Sequence, residues 1–127
     1  MLFLTNTIIV FLGGGIGASA RYLLSTIISR ATNSSFPYGT FVVNIVGCLL
    51  IGLFMSMFEE RFLINPSLRI FLTIGILGGF TTFSSFSYET ITLLHEAQFF
   101  YAGLNILISV VTCLGATYIG MTIGKLA

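Results

Sequence analysis

One run of residues carries most of the polar chemistry in this chain: Gly78-Gly79-Phe80-Thr81-Thr82-Phe83-Ser84-Ser85-Phe86-Ser87, set in a stretch with no charge from Ile70 to Tyr88. Hydroxyls in so apolar a segment lie where water does not satisfy them, so they serve a buried polar path or another chain. Phe83 and Phe86 are three apart and share a helical face, while Ser84 and Ser87 share the adjoining one. An aromatic ring is negative over its face and positive at its edge. Ring edges beside hydroxyl donors therefore offer weak positive potential to a passing anion, with ordinary core packing as the plain alternative. Gly78-Gly79 suits regular helix poorly, and a break there would free carbonyls that need a donor or a cation.

Other polar side chains fall in the same apolar surroundings. Asn44 shares a face with Gly47, Cys48 and Ile51, and reads either as glue between helices or as an amide turned toward an anion. Asn105, Ser109, Thr112 and Cys113 form a similar stripe at three- and four-residue spacing. Arg21 is flanked by apolar residues. It either snorkels to the interface or draws anions to a vestibule by its fixed charge. Glu89 follows the hydroxyl run by two residues, and reads as a partner for Arg21 or as a lining residue of a polar path.

Several chemistries are excluded. There is no nucleophile with a paired base, no phosphate-binding lysine loop and no basic nucleic-acid patch, since the five Lys and Arg residues are scattered. His95 beside Glu96 has no second ligand at metal spacing and reads as interfacial. Gly13, Gly15 and Ala18 imitate a dinucleotide fingerprint, but no carboxylate precedes Glu59, so the acidic residue that should hold the ribose is missing. The pairs Gly13/Gly17, Gly14/Ala18 and Gly75/Gly79, and the series Ala116, Gly120, Gly124, instead suit close helix contact in a membrane. Cys48 and Cys113 sit inside apolar segments and read as small packing residues.

The elements that must position these residues follow from composition. Of 127 residues, 56% are hydrophobic and only 7% are charged, with a mean hydropathy of +1.05. An ordinary soluble domain carries about 25% charged residues. Four spanning helices are expected, at about 3–29, 39–58, 68–94 and 98–124, joined by short polar links in a single transmembrane domain over 1–127. No basic residue precedes the first apolar run, so that run is expected to stay in the mature protein. Arg61, Arg69 and Lys125 lie on one side against Arg30, or Arg30 with Arg21, on the other, a bias too weak to fix orientation. The residues by themselves describe a small oligomeric membrane conductor for anions, not an enzyme. A membrane accessory or assembly protein glued by its polar stripes is the alternative. A small four-helix multidrug exporter would want a carboxylate in the first span, which has none.

Over essentially its full length the chain resembles the Fluc (CrcB) family of small bacterial fluoride channels. The resemblance is carried by Gly17-Ala18 with Arg21-Tyr22, by Gly39-Thr40-Phe41-Val42-Val43-Asn44 with Gly47, and by Gly75 with Gly78 through Thr90. It implies an all-α fold in which the third of four helices is broken near its middle, and two chains pack antiparallel with dual insertion in a bacterial inner membrane. It further implies passive fluoride export through two pores per dimer, protecting the cell from fluoride. By the resemblance, the pore is lined by Phe83, Phe86 and Asn44, with hydroxyls matching Ser84, Ser85 and Ser109. Arg21 matches a vestibule arginine, and Asn105 stands where many relatives carry an aromatic or other residue. A structural sodium ion, not transported, would be held by backbone carbonyls matching Gly78 and Thr81 from both chains. The partners so implied are fluoride, sodium, membrane lipid and a second copy, with no nucleic acid.

Overall fold

The computed structural model describes residues 1–61 and 65–127, and among them the regular structure is entirely helical. Four stretches are long and apolar enough to cross a membrane: Leu2–Thr32, Tyr38–Glu60, Pro66–His95 and Phe99–Leu126, of 31, 23, 30 and 28 residues. Each exceeds the roughly 20 residues that a bilayer requires. Helix α1 is Leu2–Thr32. It stops where Asn33 turns left-handed at φ 43° and donates its N–H to Ser29 O, a conformation Asn tolerates better than most residues. Helix α2 is Tyr38–Glu60 and follows directly on Pro37.

The third span is assembled from pieces. Helix α3, Pro66–Ile70, starts with Pro66 in its first turn, and Asn65 accepts from Ser67 N–H as its cap. It widens into a π-helical stretch over Phe71–Leu77, continues as the short helix α4, Gly78–Phe80, and breaks. Helix α5, Phe83–His95, restarts after Thr81 and Thr82, and helix α6, Phe99–Leu126, completes the bundle. The break lies three residues beyond the expected Gly78-Gly79 position. Gly78 is helical, with φ −63° and ψ −37°, whereas Thr81 and Thr82 are extended, with ψ of 153° and 113°. Glycine's low helix propensity is overridden because α1 packs against this turn at Gly79 and needs backbone without a side chain there.

That packing is direct. A methyl added at Gly13 would stand 2.8 Å from Phe71 O, one at Gly17 would overlap Ile76 O, and one at Gly79 would overlap Gly14 O. The expected small-residue pairs thus serve close approach of α1 to the first half of the third span. On the other side α2 and α6 make the most extensive helix pairing. There Gly120 faces Leu49 O, and a methyl at Gly124 would lie 2.6 Å from Leu53 O. The break lets one span serve both partners, since its first half lies on α1 while α5 lies on α6.

Among the described residues the buried set is nearly balanced between apolar side chains (Phe36, Val43, Phe58, Leu77, Phe80, Leu93, Ala102) and polar ones (Thr40, Ser56, Thr82, Thr90, Asn105, Ser109). Large apolar residues such as Phe11, Ile16, Leu23, Leu107 and Leu114 point outward. In lipid this inversion follows from physics, because tails are as apolar as Leu and only packing and hydrogen bonds hold helices together.

Candidate functional site

The two extended residues at the break have backbone groups that no helix satisfies. Asn44 on α2 answers both ends of Thr82: its Nδ2 donates to Thr82 O at 3.0 Å, and its Oδ1 accepts from Thr82 N–H at 2.8 Å. The amide docks on Thr82 much as a neighbouring strand would. Thr82 then caps α5, its Oγ1 accepting from Ser85 N–H at 3.1 Å and donating to Ser85 Oγ, with Ser84 Oγ at 3.2 Å.

These contacts decide which carbonyls are released. In a continuing helix Gly78 O would accept from Thr82 N–H and Thr81 O from Ser85 N–H. Both donors are diverted, to Asn44 and to Thr82 Oγ1. Gly79 O, between them, is taken by the half-buried Arg21, whose Nε donates at 3.1 Å. Gly78 and Thr81 share the wall of a cavity of about 190 Å³ with Gly47, Cys48 and Leu77. Two carbonyls without their helical donors are oxygen ligands of the kind a hard cation takes.

Beyond the break, α5 is fastened by side chains. Asn105, almost wholly buried, donates to Thr90 Oγ1 at 2.9 Å and accepts from Ser109 at 3.2 Å, and Thr90 in turn donates to Phe86 O at 2.7 Å. Thr40 on α2 donates to Glu89 Oε1 at 2.6 Å, while the buried Glu89 Oε2 has no partner among the described residues. The Phe83 and Phe86 rings lie with centroids 5.3 Å apart at 48°. Phe86 is half-buried and Phe83 is 78% exposed, on the open face of the chain.

A groove of about 320 Å³ between α2, α5 and α6 gathers Asn44, Phe83, Phe86 and Ser109, together with Thr81 and Thr82, Cys48 and Cys113. Four of the residues expected to line a path are therefore brought together. Asn105 stands behind Ser109 rather than in the wall, and Ser84 and Ser85 sit at the start of α5 beside the cap. Glu89 opens instead onto a polar cavity of about 420 Å³ with Arg30, Asn33 and Thr40. The Arg21–Glu89 pairing considered from sequence is not made: Arg21 binds the Gly79 carbonyl and Glu89 the Thr40 hydroxyl. Asn44 acts as glue toward Thr82, which takes up its amide oxygen and one of its two amide N–H groups, and the same residue lines the groove.

Sequence reasoning passed over Thr82, Thr40 and Thr90. Thr82 had a signal, since a hydroxyl residue just before a restarting helix is the usual cap. Thr40 and Thr90 had none, because a threonine in an apolar helix ordinarily bonds back to its own turn, as Thr90 also does.

Comparison with known proteins places this architecture. Residues 8–121 match the family described as CrcB-like protein, Camphor Resistance (CrcB). The chain is 49% identical over 112 residues to the "Fluoride-specific ion channel FluC" of Geotalea uraniireducens (strain Rf4), covering 88% of this chain and 90% of that one. It is 47% identical over 116 residues to the protein of the same name from Flavobacterium psychrophilum, covering 91% and 94%. With that of Coxiella burnetii (strain CbuK_Q154) it shares 44% over 121 residues, 94% and 98% of the two chains. The matches run through all four apolar helices and the broken third span, so the chain is a multi-pass membrane protein that belongs to the CrcB family.

Proposed function

We propose that this chain is a fluoride-selective ion channel that lets fluoride leave the cell passively and so protects against fluoride toxicity. The observation that carries the reading is the groove in which an amide, a hydroxyl and two phenylalanine rings converge at the break of the third span. Fluoride is small, hard and strongly hydrated, so a path through lipid must replace its water with donors. The free N–H of Asn44 is such a donor, the hydroxyl of Ser109 becomes one by turning its single proton from Asn105 Oδ1 to the ion, and the edges of Phe83 and Phe86 supply the weaker positive potential between them. Asn105 positions Ser109 from behind, and Ser84 and Ser85 complete the polar start of α5. Arg21 contributes fixed positive charge beside the break and Glu89 lines the polar cavity at one end.

The working unit in this reading is an antiparallel dimer with dual insertion and two pores. The exposed Phe83 ring and the near-balanced basic residues support it, because a second copy would cover the open groove and a chain with little charge bias inserts both ways. The carbonyls of Gly78 and Thr81, which have lost their helical donors, fit a structural sodium ion shared between the copies. Such an ion would hold the dimer together without being transported.

Purified protein in liposomes loaded with fluoride or with chloride tests the function. Fluoride should leave without a proton gradient while chloride stays. Equal release of the two ions would end the selective-channel reading.

A further inference from the structure

Cys48 on α2 and Cys113 on α6 are free thiols, each half-buried, that line one groove at the α2–α6 seam, where Thr117, one turn beyond Cys113, donates its hydroxyl to Cys48 O at 3.1 Å. Both stand in the wall of the groove that holds Asn44, Phe86 and Ser109. Cys48 also lines the smaller cavity of Gly78 and Thr81, so it stands between the two. Nothing in ion passage calls for sulfur here. Two thiols on adjoining helices, open to one groove, are nevertheless a ligand set.

The chemistry of the pair selects its ligand. Among the described residues no third His, Cys, Asp or Glu joins them to make a metal cluster. Zinc, which takes four ligands in structural sites and three in catalytic ones, is thereby disfavoured, and hard cations prefer oxygen. A soft ion content with two sulfurs in line remains. Charge points the same way, because a divalent ion bound by two thiolates is neutral and avoids the cost of a net charge at this depth. We propose that Cys48 and Cys113 form a two-thiol site for a soft, two-coordinate metal ion of the Hg(II) class, whose occupation obstructs the groove. Binding is an exchange without redox change: each thiol releases its proton to water, two metal–sulfur bonds form, and one ion replaces two protons.

Obstruction rests on the groove being the ion path, whereas binding does not, and two readouts separate them. In the first, the reduced protein in detergent is titrated with mercuric chloride and its remaining thiols are counted with a chromogenic disulfide. One equivalent per chain should remove both thiols, with the chain still a monomer on a non-reducing gel. A requirement for two equivalents, or a cross-linked pair of chains, overturns the two-thiol site. In the second, fluoride efflux from liposomes is followed before and after mercury, each protein being compared with its own untreated rate. The wild type should lose most of its efflux, resist washing with a monothiol and recover with a dithiol, since two tethered sulfurs hold the ion far better than one. Cys48→Ala and Cys113→Ala should recover with the monothiol alone. Block of equal strength and persistence in both variants overturns the bridging site. Full efflux in a wild type whose thiols are both consumed overturns the obstruction, and an untreated wild type without efflux counts against the channel reading while leaving the thiol count to decide binding.

Discussion

The two halves of the third span are held by opposite means. Up to Phe80, the chain is pressed against α1 backbone to backbone, through Gly13, Gly17, Gly75 and Gly79. Beyond Thr82 it is held by side-chain hydrogen bonds, from Asn44 to Thr82, Thr40 to Glu89 and Asn105 to Thr90. The first arrangement makes, on its α1 face, a wall with no room, crossed by one side-chain bond from Arg21 to Gly79 O. The second leaves space between helices and edges that space with donors and acceptors. A membrane protein without a hydrophobic drive between helices has these two adhesives available, and here each is given to one half of one span. The break is where they meet, which is why the groove, the two released carbonyls and Arg21 all gather there.

If the first half depends on backbone contact, a side chain there should do the most damage. Gly17→Leu would thrust its side chain into the Ile76 carbonyl and the turn before Phe80, and backbone cannot give way as a flexible side chain does. Overpacking a core costs about 1–3 kcal/mol and occasionally more. The expected outcome is loss of the folded protein from size-exclusion chromatography in mild detergent. Gly103→Ala on α6, where an added methyl meets nothing within 4 Å, should elute as wild type. Equal behaviour of the two variants would remove the distinction between wall and open face.

The second half should fail more locally. Asn44→Ala leaves Thr82 N–H and Thr82 O without their partner, and a buried unsatisfied group costs about 1–3 kcal/mol. Fluoride efflux is expected to fall at least about tenfold, the equivalent of roughly 1.4 kcal/mol. Amide exchange around Thr82 to Ser85 should quicken while α1 stays protected. Unchanged protection at the cap would mean that Asn44 does not hold the break.

Much of this division could be read from the chain before any coordinates. The four helices follow from long charge-free runs, and the α1 wall from glycines four apart, because both are local patterns. Displacement of the break from Gly78-Gly79 to Thr81-Thr82 was not legible, since it depends on α1 demanding bare backbone at Gly79 and on Asn44 waiting 38 residues away. For the same reason the partners of Arg21 and Glu89 could not be paired from sequence. Each has several polar neighbours at plausible depth, and only the crossing of helices selects the Gly79 carbonyl for one and Thr40 for the other. The placing of Cys48 and Cys113 in the wall of one groove is likewise a product of the α2–α6 register.

Within the groove, the rings should matter less than the fastening that places them. Phe86→Ile and Phe83→Ile keep apolar bulk but remove the ring edge and the ring pair, an interaction worth about 0.5–1.5 kcal/mol beyond area. A fall in efflux of roughly two- to tenfold is expected from either variant on the same arithmetic, with elution unchanged. Efflux at the wild-type rate in both would return the rings to packing.

The smallest effect belongs to Ser84, and it sharpens the difference between a residue that fastens and one that faces the path. Ser84 Oγ touches Thr82 Oγ1, but that oxygen also receives Ser85 N–H and contacts Ser85 Oγ, so the cap survives without it. Ser84 is exposed at the start of α5, so its hydroxyl can turn to other partners without leaving a buried group unsatisfied. If its part is confined to the cap, Ser84→Ala should change efflux by less than about twofold, within the few tenths of a kcal/mol typical of open surface positions. Should Ser84→Ala instead cut efflux as deeply as Phe83→Ile while amide protection at the cap stays intact, the hydroxyl is giving its proton to the passing ion. The start of α5 would then belong to the pore wall together with Ser109, and the line between the fastened and the lined parts of this span would move from Thr82 to Ser84.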